Sequence, residues 1–296
     1  MRAITRTLCA VVSAATVLAG CAADGGASSE LVAVGASSQT AAMDGWKAGF
    51  TEQAADFSVA FDPVGSGGGR EAFLSGGADV AASDVPLDDA EFASARDTCP
   101  GDRGAIDLPV YVSPIVIVYN LPSLGEATLN LTADALAGIF AGTITRWDDP
   151  LLVAANPGVA LPELAVNPVH RSDDSGTTEN FTAYLAAVAP GTWPHGAIQA
   201  WSDGPRNGEG ADGTAGVVQA VLAGTGSVGY ADASQARGLP VAAIEVAGTF
   251  VEYSPEAAAA VVAASPMEAG RGPLDFTYEL RHDVPGTYPI VLVSYH

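Results

Sequence analysis

The chain has 296 residues, 48% of them hydrophobic and only 16% charged, with 34 glycines and 19 prolines; that is enough apolar material for one large domain or two modest lobes, and the wrong balance for a disordered chain. A formal net charge of −22, with Lys47 the only lysine, repels polyanions at long range and excludes nucleic acid as a partner. A small anion is not excluded, because surface charge is screened over roughly 8 Å at physiological salt whereas a buried site answers to its own nearby dipoles.

In chain order, "MRAITRTLCAVVSAATVLAGC" opens with two arginines, continues in a short apolar run and ends in Leu18-Ala19-Gly20-Cys21. This pattern reads as a secretory signal over residues 1–20. Its last four residues look like a bacterial lipobox, in which Cys21 is acylated and becomes the mature N-terminus; an ordinary signal peptide with a coincidental cysteine is the alternative. Residues 21–30 then form a flexible tether. A single acyl chain binds a membrane only marginally, so firm anchoring through Cys21 implies several. With Cys9 removed and Cys21 committed to lipid, Cys99 has no partner, and a passive thiol is expected there rather than a disulfide. No later apolar run is long enough to span a bilayer.

"ELVAVGASS" predicts a buried strand ending in a turn, and "QTAAMDGWKAGFTEQAA" a helix. "FSVAFDPVG" is a second strand, leading through a "SGGG" turn into the helical "REAFLSGG". "ADVAASDVPL" is a third, with Asp84 near its end and Pro86 stopping it. "IDLPVYVSPIVIVYN" is long and β-branched, a central strand whose two prolines imply bends or a crossover. "LTADALAGIFAGTITRWDDP" predicts a helix with Thr132 as N-cap and Asp134 in its first turn, ending near Gly142. "ELAVNPVHR" is a strand, "TTENFTAYLAAVA" a helix, and "DGTAGVVQAVLAGTGSVGYAD" a helix, a glycine turn and a strand. The alternation predicts an α/β fold with largely parallel sheets.

Three of these strand-to-helix junctions share one chemistry: "GASS" (35–38), "GSGGG" (65–69) and "DSGTT" (174–178). Each offers hydroxyls and glycine-permitted backbone N–H groups at a helix start, where N–H groups lack internal partners and the helix dipole is positive. One such turn is ordinary capping; three in one chain, with Arg171 beside the third, point to a shared oxyanion pocket. Other chemistries fit poorly. There is no G-x-x-x-x-G-K-[ST] loop, no dinucleotide G-x-G-x-x-G, no G-x-S-x-G elbow, and His170, His195, His282 and His296 have no metal-ligand spacing. His170 reads as a surface histidine. The Asn-x-Thr triplets at Asn130 and Asn180 read as coincidental.

These pieces, together with "DVAASDVPL", "IFAGTITRWDDP", "HRSDDSGTTENF" and "GSVGY", occur in the order and spacing of PstS-type phosphate-binding proteins, the solute receptors of phosphate ABC importers, and the resemblance runs from about Leu31 to the end. It implies a two-lobed periplasmic-binding-protein-like fold (type II) closing on phosphate. The first lobe would comprise residues 31–112 plus 285–296 and the second residues 113–284. Relatives continue through further helices that complete the first lobe, so that lobe is expected to be incomplete at its C-terminus, a genuinely short member being the alternative. Carried over by position, Ser37 offers its hydroxyl, Ser38 its backbone N–H, and Ser66 the serine of the second turn. Asp84 is the acidic ligand and Arg171 the cation, oriented by Asp173; Ser175, Gly176 and Thr177 form the last turn. "GASS" departs from the usual Gly-Ala-Thr-Phe, keeping a hydroxyl but losing an aromatic cover. No cofactor or metal is implied. The partners are inorganic phosphate, permease subunits and, through Cys21, the membrane.

Asp84 carries the expected selectivity. An ionised carboxylate only accepts hydrogen bonds, so it suits an anion that still carries a proton, as phosphate does at neutral pH and sulfate does not. A receptor for arsenate or a phosphate ester meets the same requirement. From a different class, an extracellular phosphatase or serine hydrolase could use Ser175 or Ser66, although no base-plus-orienter motif accompanies them.

Overall fold

The computed structural model describes residues 29–54, 56–99, 104–236 and 238–296. The expected signal sequence, Cys21 and the expected tether as far as residue 28 lie outside the described residues. The first strand, β1 (Ser29–Gly35), includes the last two residues of the expected tether, pairing Ser29 with Phe57 and Glu30 with Ser58.

β1 passes through a 3-10 turn (Ser37–Gln39) into α1 (Thr40–Gln53). β2 (Phe57–Asp62) leads to α2 (Ser66–Leu74), and β3 (Val80–Ala82) to α3 (Asp89–Thr98). The three strands form a parallel sheet in the order β2-β1-β3. The glycines of "SGGG" belong to α2 rather than to a preceding turn. Helix propensity argues against that, but a Cβ on Gly69 would lie 2.5 Å from the Val34 carbonyl, so only glycine lets the helix start this close to β1. α3 was not anticipated, although Asp88 and Glu91 make a reciprocal capping box at its start.

β4 (Pro109–Tyr119) is one continuous strand despite Pro109 and Pro114. Its prolines coincide with a change of partner: residues up to Pro114 pair antiparallel with β11 (Val291–Tyr295), and Ile115 onward pair antiparallel with β8 (Ser227–Asp232). Next come β5 (Asn130–Leu131), α4 (Ala133–Ala141), capped by the Thr132 hydroxyl on the Ala135 N–H, and α5 (Pro150–Ala155). β6 (Asn167–Arg171), α6 (Gly176–Val188), β7 (Glu209–Ala211) and α7 (Gly213–Ala223) follow, completing a five-stranded sheet, β11-β4-β8-β6-β7. This sheet is mixed, contrary to the expectation of largely parallel sheets, because β4 opposes both neighbours. β9 (Ala243–Val246), β10 (Thr249–Val251) and β5 make a third small sheet, and α8 (Pro255–Ala264) precedes an irregular run to β11.

The main core belongs to the five-stranded sheet. Ile115–Tyr119 of β4, Leu136, Ile139 and Phe140 of α4, Phe181 and Leu185 of α6 and Val217, Val218 and Val221 of α7 are almost wholly buried. At roughly 1.5–3 kcal/mol per buried large apolar side chain, this block is the rigid half. The three-stranded sheet and its helices have two small clusters, Ala33, Met43 and Ala82, and Leu87, Ala95 and Ala105 beside α2 and α3, and leave Leu31, Trp46, Phe50 and Phe57 exposed. The two sheets meet at the end of the chain, where Ser83 and Tyr295 exchange backbone hydrogen bonds of 3.0 and 2.7 Å. No helix among the described residues is long and apolar enough to cross a membrane.

Candidate anion-binding site

The C-terminal ends of β1, β2, β3 and β6 point into one crevice, and the turns that follow them bring helix starts together there: the 3-10 turn at Ser37, α2 at Ser66, α6 at Gly176 and, across from Ser37, α7 at Gly213. Ser37, Ser38, Ser66, Asp84, Arg171, Ser175 and Thr177 are all in this place and buried, each no more than 6% exposed, with Gly176 buried and Asp173 partly buried among them. The helix dipoles thus concentrate positive potential in a volume closed to solvent.

Asp84 stands two residues beyond β3 and is held on every side. Its Oδ1 accepts from Ser294 Oγ at 2.7 Å, and its Oδ2 from Ser38 Oγ at 2.5 Å and Thr177 Oγ1 at 3.2 Å. Its backbone N–H donates to Ser66 Oγ at 3.0 Å and its carbonyl accepts from Asn180 Nδ2 at 2.7 Å. Burial pushes its pKa above the ordinary carboxylate value; the hydroxyls of Ser38 and Ser294, the Arg171 charge and Thr177 oppose that rise. Asp84 is therefore not the bare acceptor expected from the sequence, since three hydroxyls already engage it. A carboxylate offers about four lone-pair positions, which leaves one for a ligand.

Arg171, the last residue of β6, is buried with its fork on Asp173: Nε donates to Oδ1 at 2.6 Å and one terminal nitrogen donates to Oδ2. Burial works to raise the Asp173 pKa, but the hydrogen bonds and charge of Arg171, with the Gly213 N–H at 3.2 Å, outweigh it and hold the carboxyl below its usual value. The other terminal nitrogen reaches Thr214 Oγ1 at 3.5 Å, and the backbone N–H is tied to Tyr230 Oη at 3.1 Å. The guanidinium is thereby oriented with donors still free, as an anion requires.

Ser37 faces α7: its Oγ accepts from the Thr214 N–H at 3.0 Å and lies 3.2 Å from Thr214 Oγ1. Ser66 Oγ spends its acceptor on Asp84 and keeps a hydrogen to donate. Ser175 is the N-cap of α6, accepting from the Thr178 N–H at 3.1 Å. His170 is not a plain surface residue; its ring stacks on Trp201, with centroids 4.4 Å apart and planes at 9°. Asn180 is engaged by Asp84 and Gly176. Thr214 and Ser294 were not singled out from the sequence. "DGTAGVV" carries the same hydroxyl-at-helix-start signal as the other turns, whereas Ser294 in "VSYH" has no local signal and arrives only because β11 lies beside β4.

Gly176 is where the two sides touch. A Cβ there would collide with the Ser66 hydroxyl and stand 2.8 Å from Asp84 Cβ. Gly176→Ala is expected to prop the crevice ajar and weaken anion binding roughly tenfold, by analogy with overpacking costs of about 1–3 kcal/mol; titration of the variant against the parent checks this, and unchanged affinity would mean that the two sides need not close this tightly.

A family profile described as "PBP superfamily domain" matches residues 21–296. Phosphate-binding protein PstS3 of Mycobacterium bovis is 36% identical over 279 residues, covering 92% of this chain and 74% of the relative. Phosphate-binding protein PstS 2 of Mycobacterium tuberculosis is 33% identical over 277 residues, covering 91% and 74%. The chain belongs to the PstS family of the PBP superfamily. Among solved structures, a high-affinity periplasmic phosphate-binding protein (PfluDING) bound with phosphate superposes with a TM-score of 0.70 at 25% identity, covering 90% of this chain and 79% of that one. The phosphate-binding protein of Stenotrophomonas maltophilia shares the fold with a TM-score of 0.63 at 22% identity, covering 90% and 78%. The PstS fold is two-lobed, and the buried crevice of this member lies between its two principal sheets.

Proposed function

We propose that this protein captures inorganic phosphate between its two lobes and delivers it to the permease of an ABC importer from the outer face of the cell membrane, where acyl chains on Cys21 hold it. One observation carries the reading: a carboxylate and a guanidinium are buried at the meeting point of four helix starts, in a relative of phosphate-binding proteins. In the proposed site Arg171, the Ser38 and 175–177 backbone N–H groups and the hydroxyls of Ser37 and Ser66 donate to the anion, while Asp84 accepts its hydrogen. Thr177 contributes through its N–H, its hydroxyl staying on Asp84. Residues 31–112 with 285–296 and residues 113–284 are proposed to move as two bodies; the exchange of partners within β4 supports a hinge there. Closure would then be driven by ligand contacts that neither half makes alone.

Binding without chemistry is the proposed role. A hydrolase would need a base on Ser66 or Ser175, and the histidine hydrogen bonds among the described residues go elsewhere, His170 to its neighbour's carbonyl, His282 to Pro289 and His296 to Gln39. Arsenate, which carries the same hydrogen, fits the site equally. Calorimetry on the mature protein, stripped of retained ion, tests the proposal: phosphate and arsenate should bind tightly and sulfate barely. Equal heats for sulfate and phosphate would remove the basis for assigning phosphate.

A further inference from the structure

The turn that carries Ser37 and Ser38 is gripped from across the crevice by a residue outside the anion-binding set. Gln235 Nε2 donates to the Ser37 carbonyl at 2.7 Å and to the Ser38 carbonyl at 3.3 Å. Gln235 belongs to the other side of the molecule, as the last residue of the 3-10 turn Ala233–Gln235 that follows β8. That turn is itself fixed. Asp232, fully buried at the end of β8, caps it by accepting from the Ser234 N–H at 2.9 Å and its hydroxyl at 2.5 Å. Asp232 also stands opposite Ile115, the first residue of β4 after its change of partner. The amide is therefore presented by the well-packed large sheet to the thinly packed small one.

The peptide plane turns this contact into a statement about the ligand. The Ser37 carbonyl and the Ser38 N–H belong to one trans peptide and point in opposite directions. Drawing the carbonyl toward Gln235 aims the N–H away from it, and an N–H in the first turn of a helix has no partner within that helix. We propose that Gln235 is a positioning residue for the anion site: its side-chain amide, donated across the crevice to the Ser37 and Ser38 carbonyls, aims the Ser38 N–H at the anion and latches the first turn over it. Gln235 does not touch the ligand. The inference rests on the phosphate reading of the site, but the contact itself needs no anion. Thr40 also donates to the Ser37 carbonyl, through its hydroxyl at 2.9 Å and its N–H, but from within the same turn, and Thr214 engages only the Ser37 side chain. Among the described residues it is Gln235 that ties these carbonyls to the other side of the crevice.

The donor is the essential feature, and two substitutions of similar length separate donor from acceptor. Gln235→Glu sets a carboxylate against two carbonyl oxygens, whereas Gln235→Lys keeps N–H donors within reach. Stopped-flow binding of phosphate should show the dissociation rate of Gln235→Glu rising roughly tenfold or more, on the scale of losing a buried hydrogen-bond pair, with the association rate within about twofold of the parent. Gln235→Lys should stay within about threefold in both. Hydrogen exchange of residues 36–43 without added anion should quicken in Gln235→Glu and not in Gln235→Lys, with thermal midpoints unchanged in both. If the parent binds phosphate and Gln235→Glu releases it at the parent rate, the latch is wrong and the phosphate reading stands. If the parent does not bind phosphate, that reading is wrong, and the exchange rates decide the latch alone: faster exchange in Gln235→Glu supports it, equal exchange in all three proteins overturns it.

Discussion

Arg171→Ala should lose phosphate affinity by about 10³-fold or more while the protein still folds. Arg171 is 2% exposed and, among the described residues, supplies the guanidinium hydrogen-bonded within the site. Its removal deletes charge-assisted bonds to the anion and strands Asp173 half-buried without its partner; breaking a buried pair in this way costs about 3–5 kcal/mol. Two negative groups, Asp84 and Asp173, would then face the incoming anion with only helix starts to oppose them. The pH dependence of stability should change with it. Arg171 holds the Asp173 pKa below its ordinary value, so the pair stabilises the fold above the unfolded carboxylate pKa and that contribution fades as pH falls through the folded one. The variant lacks this contribution, so its deficit relative to the parent should shrink on acidification. Arg171→Lys keeps the charge without the fork and should fall between. Equilibrium dialysis with labelled phosphate, alongside melts from neutral to acidic pH, measures both effects; an Arg171→Ala protein within tenfold of the parent affinity would show that the helix starts suffice.

Much of this site was legible because its chemistry is local. A hydroxyl or glycine after a buried strand is a helix start with free N–H groups wherever it occurs, and the turns at 35–38, 65–69 and 174–178 announce themselves in that way. Arg171 was visible as a charge at a strand end beside such a turn, whereas Asp84, a charge at a strand end away from all three turns, was assigned through the family resemblance. Ser294 and Gln235 could not be found by the same logic, since each reaches the site through a tertiary pairing: β11 along β4, and the turn after β8 across the crevice. The fold divides along a similar line. Helices with caps, such as α4 after Thr132, were read with their limits. Strand direction was not, because the partners of β4 lie more than a hundred residues away in sequence, and hydrophobic pattern records burial but not orientation. The glycine-rich start of α2 illustrates the remaining kind of miss, where close packing against β1 overrides a weak local propensity.

Asp84→Asn should change what the protein rejects more than what it accepts. In the parent, Ser294 takes one lone-pair position on Oδ1 and Ser38 with Thr177 take both on Oδ2, so the free position on Oδ1 is the one a ligand hydrogen can fill. Sulfate brings only lone pairs to that position inside a buried site, and a buried group left unpaired in this manner rejects an analogue by about 10⁴–10⁵-fold. Asparagine must leave its oxygen where Ser38 and Thr177 both donate, which places the NH₂ at the position of Oδ1. Ser294 can rotate to accept one hydrogen, and the other is offered to the ligand. Sulfate should therefore bind, and its discrimination against phosphate should fall by about 10³-fold or more. Acid should mimic the substitution. Burial raises the Asp84 pKa, so lowering the pH protonates it while ordinary surface carboxylates stay ionised, and the neutral acid becomes a donor. Parent sulfate affinity should accordingly rise as pH falls, whereas the Asp84→Asn profile stays flat. Calorimetric titration of both proteins with sulfate from neutral to acidic pH gives the two curves. If Asp84→Asn excludes sulfate as firmly as the parent does, the discrimination resides in the geometry of the donors around Arg171 and not in the carboxylate.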